Sequence, residues 1–187
     1  MKQYFKYAAG MLLFSIHNNE VYVLLGKDQY GFFSDFGGRN EMHDQNEIDT
    51  ASRECYEETC GTVESIDNLK LISEKSAMVT SETYYKRPYY MYISQITHDK
   101  NVPYAFNKIQ NHLRKISNLK AFKEKASVEW IQWNSVKNEK IALRNMFKIT
   151  LFKNLKDIEL HMNNRLKNAL YTLNRKVPQR YGRQFEF

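Results

Sequence analysis

The sequence is poor in cysteine and proline: two and three, respectively, in 187 residues. Cys55 and Cys60 lie five apart in one expected helix, where their side chains leave on different sides. No disulfide framework is available, which fits a reducing compartment. So few prolines argue against long linkers. The longest apolar runs fall well short of the roughly 18–20 residues a membrane span needs, so no membrane partner is expected. MKQYFKYAAGMLLFSI has the outline of a short secretory leader, but Lys6 interrupts its apolar stretch and no good cleavage site follows. A cytoplasmic location is therefore expected. The histidines at 17, 43, 98, 112 and 161 are scattered without ligand spacing, which argues against zinc.

What is present is enough apolar and aromatic side chain, 42% and 14%, for a real core. The length suits one domain of ordinary size with an added region. Charge is uneven. The formal total is +7, yet residues 1–133 carry a net −1 and residues 134–187 a net +8. A basic C-terminal third is either a solvated helical face or a surface for a polyanion such as RNA.

MLLFSI (11–16) and VYVLLG (21–26) are β-prone runs separated by HNNE, which predicts a hairpin. Residues 27–40 hold three of the seven glycines and read as a loop. Helical spacing over 47–60 ends naturally at Gly61. Strands are expected at LKLISE (69–74), around 77–85 and at PYYMYISQI (88–96). A helix follows Pro103 over 104–118. VEWIQW (128–133) alternates like a strand, and 139–174 reads mostly helical. The order predicts a layered α/β domain. A catalytic core would span 1–136, with a helical insertion near 103–120. A basic, mostly helical extension, 137–187, would pack on it.

The helix over 47–60 runs into Gly61 through RECYEETCG (53–61), with Arg53, Glu54, Glu57 and Glu58 inside six positions. On a helical wheel the three carboxylates share an arc of roughly 100°. Ile48, Ala51, Cys55 and Thr59 form the packing stripe beside that arc. Like charges at these spacings destabilise a helix by a few tenths of a kcal/mol per pair, and Arg53 relieves only part of this. A solvated charged face is one explanation. A hard cation such as Mg²⁺ or Mn²⁺, which favours carboxylate oxygens, is the other. Gly37 and Gly38, just upstream in DFGGRNE, allow a close backbone approach that would complete a metal shell.

Together these residues resemble the signature of the Nudix hydrolase superfamily, G-x5-E-x7-R-E-U-x-E-E-x-G-U. Gly38 matches the opening glycine and Arg53-Glu54-Cys55-Tyr56-Glu57-Glu58 the R-E-U-x-E-E core. Three departures stand out. The span from Gly38 to Arg53 is one residue long. The first glutamate has two candidate counterparts, Asp44 and Glu47. The closing glycine arrives one position late, as Gly61.

The resemblance implies an α/β/α sandwich around a mixed sheet, with an added helical C-terminal region. It implies Mg²⁺- or Mn²⁺-dependent hydrolysis of a nucleoside diphosphate linked to another group. Glu54, Glu57 and Glu58 would hold the metal with the Gly38 carbonyl, and Arg53 would orient the carboxylates. The proton-accepting base is open among Glu54, Glu58, Glu129 and Glu82. Tyr30, Phe32, Tyr85 and Arg39 are candidates to bind a nucleotide-type substrate, the aromatics by stacking and Arg39 through phosphate. The basic and aromatic residues Arg175, Lys176, Arg180, Tyr181, Arg183, Phe185 and Phe187 suit single-stranded RNA, which makes mRNA decapping an alternative. A non-catalytic nucleotide- or RNA-binding module is a further one.

Overall fold

The computed structural model describes residues 5–113, 115 and 121–176. Its centre is a seven-stranded mixed sheet. Strands β1 (Ala8–His17) and β2 (Glu20–Lys27) form the expected hairpin, with Leu13 opposite Leu24. Asn18 and Asn19 turn it with positive φ, a conformation asparagine tolerates. Two short strands, β3 (Phe33–Ser34) and β4 (Phe36–Arg39), lie in the stretch expected to be loop. β4 pairs with β1 so that Ala9 faces Gly38 and Gly10 faces Gly37. Further along, β5 (Ala77–Glu82) pairs with β6 (Pro88–Gln95), β6 runs parallel to β1, and β7 (Ser127–Gln132) closes on β2.

Alternation along the strands divides the core into two layers. Leu12 and Phe14 of β1, Val23 and Leu25 of β2, and Met91 and Ile93 of β6 face one side. There they meet α4 (Trp133–Lys137), α5 (Asn145–Lys153) and α6 (Leu155–Lys176) through Val136, Phe147, Leu151, Ile158 and Met162. Met11, Leu13, Leu24 and Tyr92 face the other side. They meet α1 (Glu47–Glu58), α2 (Ile66–Glu74) and α3 (Val102–Leu113) through Ala51, Cys55, Leu69 and Phe106. The architecture is an α/β/α sandwich around a mixed sheet, with helices at the C-terminal end. Among the described residues no helix is long and apolar enough to cross a membrane.

LKLISE is helix, not strand. Ser65 caps α2 by accepting from the Asn68 N–H, and Leu69 and Ser73, four apart, are the buried positions. Period 3.6 decides over the β-prone composition. Residues 139–144 are not helical either. Phe33 N–H donates to Ala142 O and Arg144 N–H to Phe33 O, both at 2.8 Å, stitching this segment to β3 before α5 begins. α1 ends at Glu58, and Cys60 and Gly61 both take positive φ. The late glycine therefore adds no helical residue, because Cys60 adopts the left-handed turn itself.

Candidate active site

Arg53 is the hub of the site. It is buried at 8% exposure, and all three of its guanidinium nitrogens are engaged. Nε and Nη2 donate to the two oxygens of Asp44 at 3.0 and 2.9 Å, a bidentate fork. Nη2 also donates to the Arg39 carbonyl at 2.9 Å, tying α1 to the end of β4. Nη1 donates to Glu54 at 3.0 Å and Glu57 at 3.1 Å. Burial opposes the charge of Arg53, yet Asp44 and the two glutamates hold its pKa above the ordinary value. Asp44 is likewise held below the usual carboxylate range despite its burial, chiefly by Arg53. Of the two acids weighed for the first acidic position, Asp44 is the one paired with Arg53.

Two of the three helix glutamates are far from their ordinary titration range. Burial pushes Glu54 up to about 8, with Arg53 opposing and Glu58 adding to the rise. Burial pushes Glu58 up to about 7, against the pull of Lys125. Glu57 is raised in the same sense, again by burial. Glu58 accepts from the Gly37 N–H at 2.9 Å and pairs with Lys125 Nζ at 3.2 Å, with both side chains only 2% exposed. Lys125 also donates to Ser34 Oγ at 2.7 Å and to the Asp35 carbonyl at 3.2 Å. Its stem crosses β2 at Gly26, where a Cβ would lie 2.7–2.8 Å from three of its carbons. Gly38 has a similar reason to be glycine: a Cβ there would sit 2.4 Å from the Glu54 carboxyl carbon.

Gly37, Gly38, Arg39, Asp44, Glu54 and Glu124 line a cleft of about 700 Å³, with Lys6 and Arg144 at its edge. A smaller cavity of about 240 Å³ shares the Gly37–Arg39 wall and Arg144. It adds Tyr84, Tyr85, Tyr89 and Asp35. Arg39 lies against two rings, 4.8 Å from the centre of Phe5 and 5.2 Å from that of Tyr85. Tyr89 donates its hydroxyl proton to Asp35 Oδ2. Burial pushes Asp35 up to about 6, with the Tyr89 hydrogen bond and Lys125 opposing.

The structure thus gathers Arg53, Glu54, Glu57, Glu58, Gly38, Arg39 and Tyr85 around one region. Tyr30 and Phe32, exposed on the β2–β3 turn, line neither cavity. Glu129 lies on β7 beside Ser127, whose hydroxyl it accepts at 3.1 Å, and is also absent from both linings. Glu82, at the end of β5, is paired with Lys86 on the surface. Arg180, Tyr181, Arg183, Phe185 and Phe187 lie outside the described residues. Glu124, Lys125, Asp35 and Arg144 belong to the region without having been singled out from the sequence. Only Asp35 had a signal, its place two residues before the double glycine.

The donor set suits a hard divalent cation: three carboxylates on one helix, two of them pushed well up by burial despite Arg53 and Lys125 beside them. Among the described residues, no three acidic, imidazole or thiol groups converge as a ready metal cage. Glu54 and Glu57 are turned to Arg53, and Glu58 to Lys125.

No family model and no curated protein matches the chain. Solved structures similar to it include a C. elegans Ap4A hydrolase in a binary complex, at 14% identity, with 81% of this chain and 97% of that one covered and a TM-score of 0.49. The NUDIX domain of Shewanella oneidensis NrtR complexed with ADP ribose is 14% identical over 88% and 90% of the two chains, with a TM-score of 0.48. A NUDIX hydrolase from Nitrosomonas europaea is 15% identical over 84% and 73%, with a TM-score of 0.45. Likeness at this level carries no substrate with it.

Proposed function

We propose that the chain is a Nudix-type pyrophosphohydrolase that cleaves a phosphoanhydride in a nucleoside diphosphate linked to another group. The observation that carries this reading is the Arg53 hub. One buried guanidinium holds Asp44, Glu54, Glu57 and the Arg39 carbonyl at the lip of an open cleft. A solvated charged face has no need of such an arrangement, and surface ion pairs are worth little.

In this reading Glu54, Glu57 and Glu58 would hold Mg²⁺ or Mn²⁺ with the Gly38 carbonyl. The cation, when bound, would screen the phosphates and lower the pKa of a water. Arg53 fixes the helix glutamates relative to β4, so that their carboxylates start from a set geometry. Arg39, braced by Phe5 and Tyr85, presents its guanidinium to the phosphates. Glu124 opens on the same cleft, clear of the Arg53 and Lys125 pairs, and takes the proton-accepting role ahead of Glu129.

Product analysis tests the reading. Dinucleoside polyphosphates, nucleotide-sugars and capped RNA are each incubated with the full chain and Mg²⁺ or Mn²⁺. Two phosphorylated products from at least one class are expected, with none in chelator. Turnover of no class with either metal would refute it.

A further inference from the structure

The chemistry above leaves the smaller cavity without a role. At about 240 Å³ it is below the roughly 300 Å³ at which pockets begin to enclose whole ligands. It is large enough for a ring system. The adjoining cleft, at about 700 Å³, has the carboxylates and basic groups for a phosphate chain.

The lining of the small cavity is specific. One wall is the exposed ring of Tyr85, edge-to-face with Phe5 and backed by the Arg39 guanidinium. Such a wall suits the face of a heterocycle. Asp35 and Tyr89 give it a polar floor. Asp35 is 6% exposed and accepts a hydrogen bond from the Tyr89 hydroxyl on one carboxylate oxygen. A carboxylate is an acceptor only, so it favours a ring edge that donates. Arg144 lines both cavities. Its backbone is pinned to Phe33 while its side chain is exposed, and its charge acts on Asp35 across the small cavity.

We infer that this cavity is a nucleobase subsite selecting a base with an exocyclic amino group. Asp35 reads the donor edge, Tyr85 stacks on the ring, and Arg144 grips the phosphate where base cavity and cleft meet. Uracil is disfavoured because two carbonyl oxygens flank its ring N–H and would face the carboxylate. Arg144 belongs to the segment after β7, so the C-terminal region would supply part of substrate recognition. The inference rests on the pyrophosphohydrolase reading for placing phosphates in the larger cleft.

Calorimetric titration of the full chain with α,β-methylene ADP, α,β-methylene UDP and methylenediphosphonate, in Mg²⁺, tests it. The ADP analogue is expected to bind at least about tenfold more tightly than methylenediphosphonate, in line with the worth of one base stack, and more tightly than the UDP analogue, whose carbonyls face Asp35. Tyr85→Ala, at an exposed position, weakens the ADP analogue by a clearly larger factor than methylenediphosphonate, which loses only the brace on Arg39. Asp35→Asn narrows the gap between the two nucleotides, and Arg144→Ala weakens all three ligands. Equal binding of the three by the native chain, or an ADP analogue insensitive to Tyr85→Ala, overturns the subsite. Base-selective binding without turnover of any substrate keeps the subsite and removes the hydrolase. Turnover without base selectivity does the reverse.

Discussion

Arg53 and Lys125 do opposite kinds of work at the residue scale. Arg53 gathers carboxylates at a partly open lip, and its planar fork is what engages Asp44 twice. Arg53→Lys keeps the charge and loses the fork, so activity should fall at least tenfold while the protein stays folded, read by steady-state kinetics beside circular dichroism. Lys125 neutralises one fully buried carboxylate. Lys125→Met leaves Glu58 unpaired and should cost about 3–5 kcal/mol in urea denaturation. Adding Glu58→Gln should recover part of it, and strict additivity of the two changes would argue against the pair. Asp35 gives a pH test. Its carboxyl titrates at about 6 in the fold and at 3.8 ordinarily, so the folded state binds more protons between those values. Stability should therefore fall as pH rises from about 4 to 6. Asp35→Asn should flatten that slope, and an unchanged slope in urea midpoints would contradict the assignment.

The legibility of the sequence at the scale of elements followed burial. β1, β2 and β6 were readable as continuous β-prone runs that are buried or half-buried over most of their length, and α1 through helically spaced buried positions such as Ala51 and Cys55. α2 was misread because LKLISE is rich in Leu and Ile, while its helical signals are the Ser65 cap and two buried positions. Ser65→Ala should lower stability by about 1 kcal/mol in thermal unfolding, and no change would mean that packing alone sets this helix. The short β3 and β4 were invisible for a different reason. Two to four residues carry no period, and these strands exist through partners far along the chain, such as Gly10 for Gly37. The candidate site divides in the same way. The glutamates and Arg53 sit at fixed spacing on one helix and could be read. Lys125, Glu124 and Arg144 come from distant segments whose meeting only the fold reveals. Tyr30 and Phe32 were drawn toward the site by nearness in sequence to the glycines, whereas the β2–β3 turn directs them to solvent.

The whole molecule sets an acidic helix on one face of the sheet against a basic C-terminal third whose helices cover the other face. The cleft opens where β4, the loop after it, Glu54 of α1 and the segment before α5 come together, so both halves of the charge asymmetry reach it. That arrangement suits a polyanionic substrate with a metal to balance it. Metal-dependent turnover is the consequence expected of it. Its most direct test is phosphoanhydride cleavage by the native chain and by the Glu57→Gln, Glu58→Gln double variant, each with Mn²⁺ and with chelator. Turnover by the native chain is expected only with metal, with a loss of at least about 100-fold in the variant, the scale at which removing preorganised charge stabilisation slows an enzyme. Full activity in chelator, or in the double variant, would contradict it.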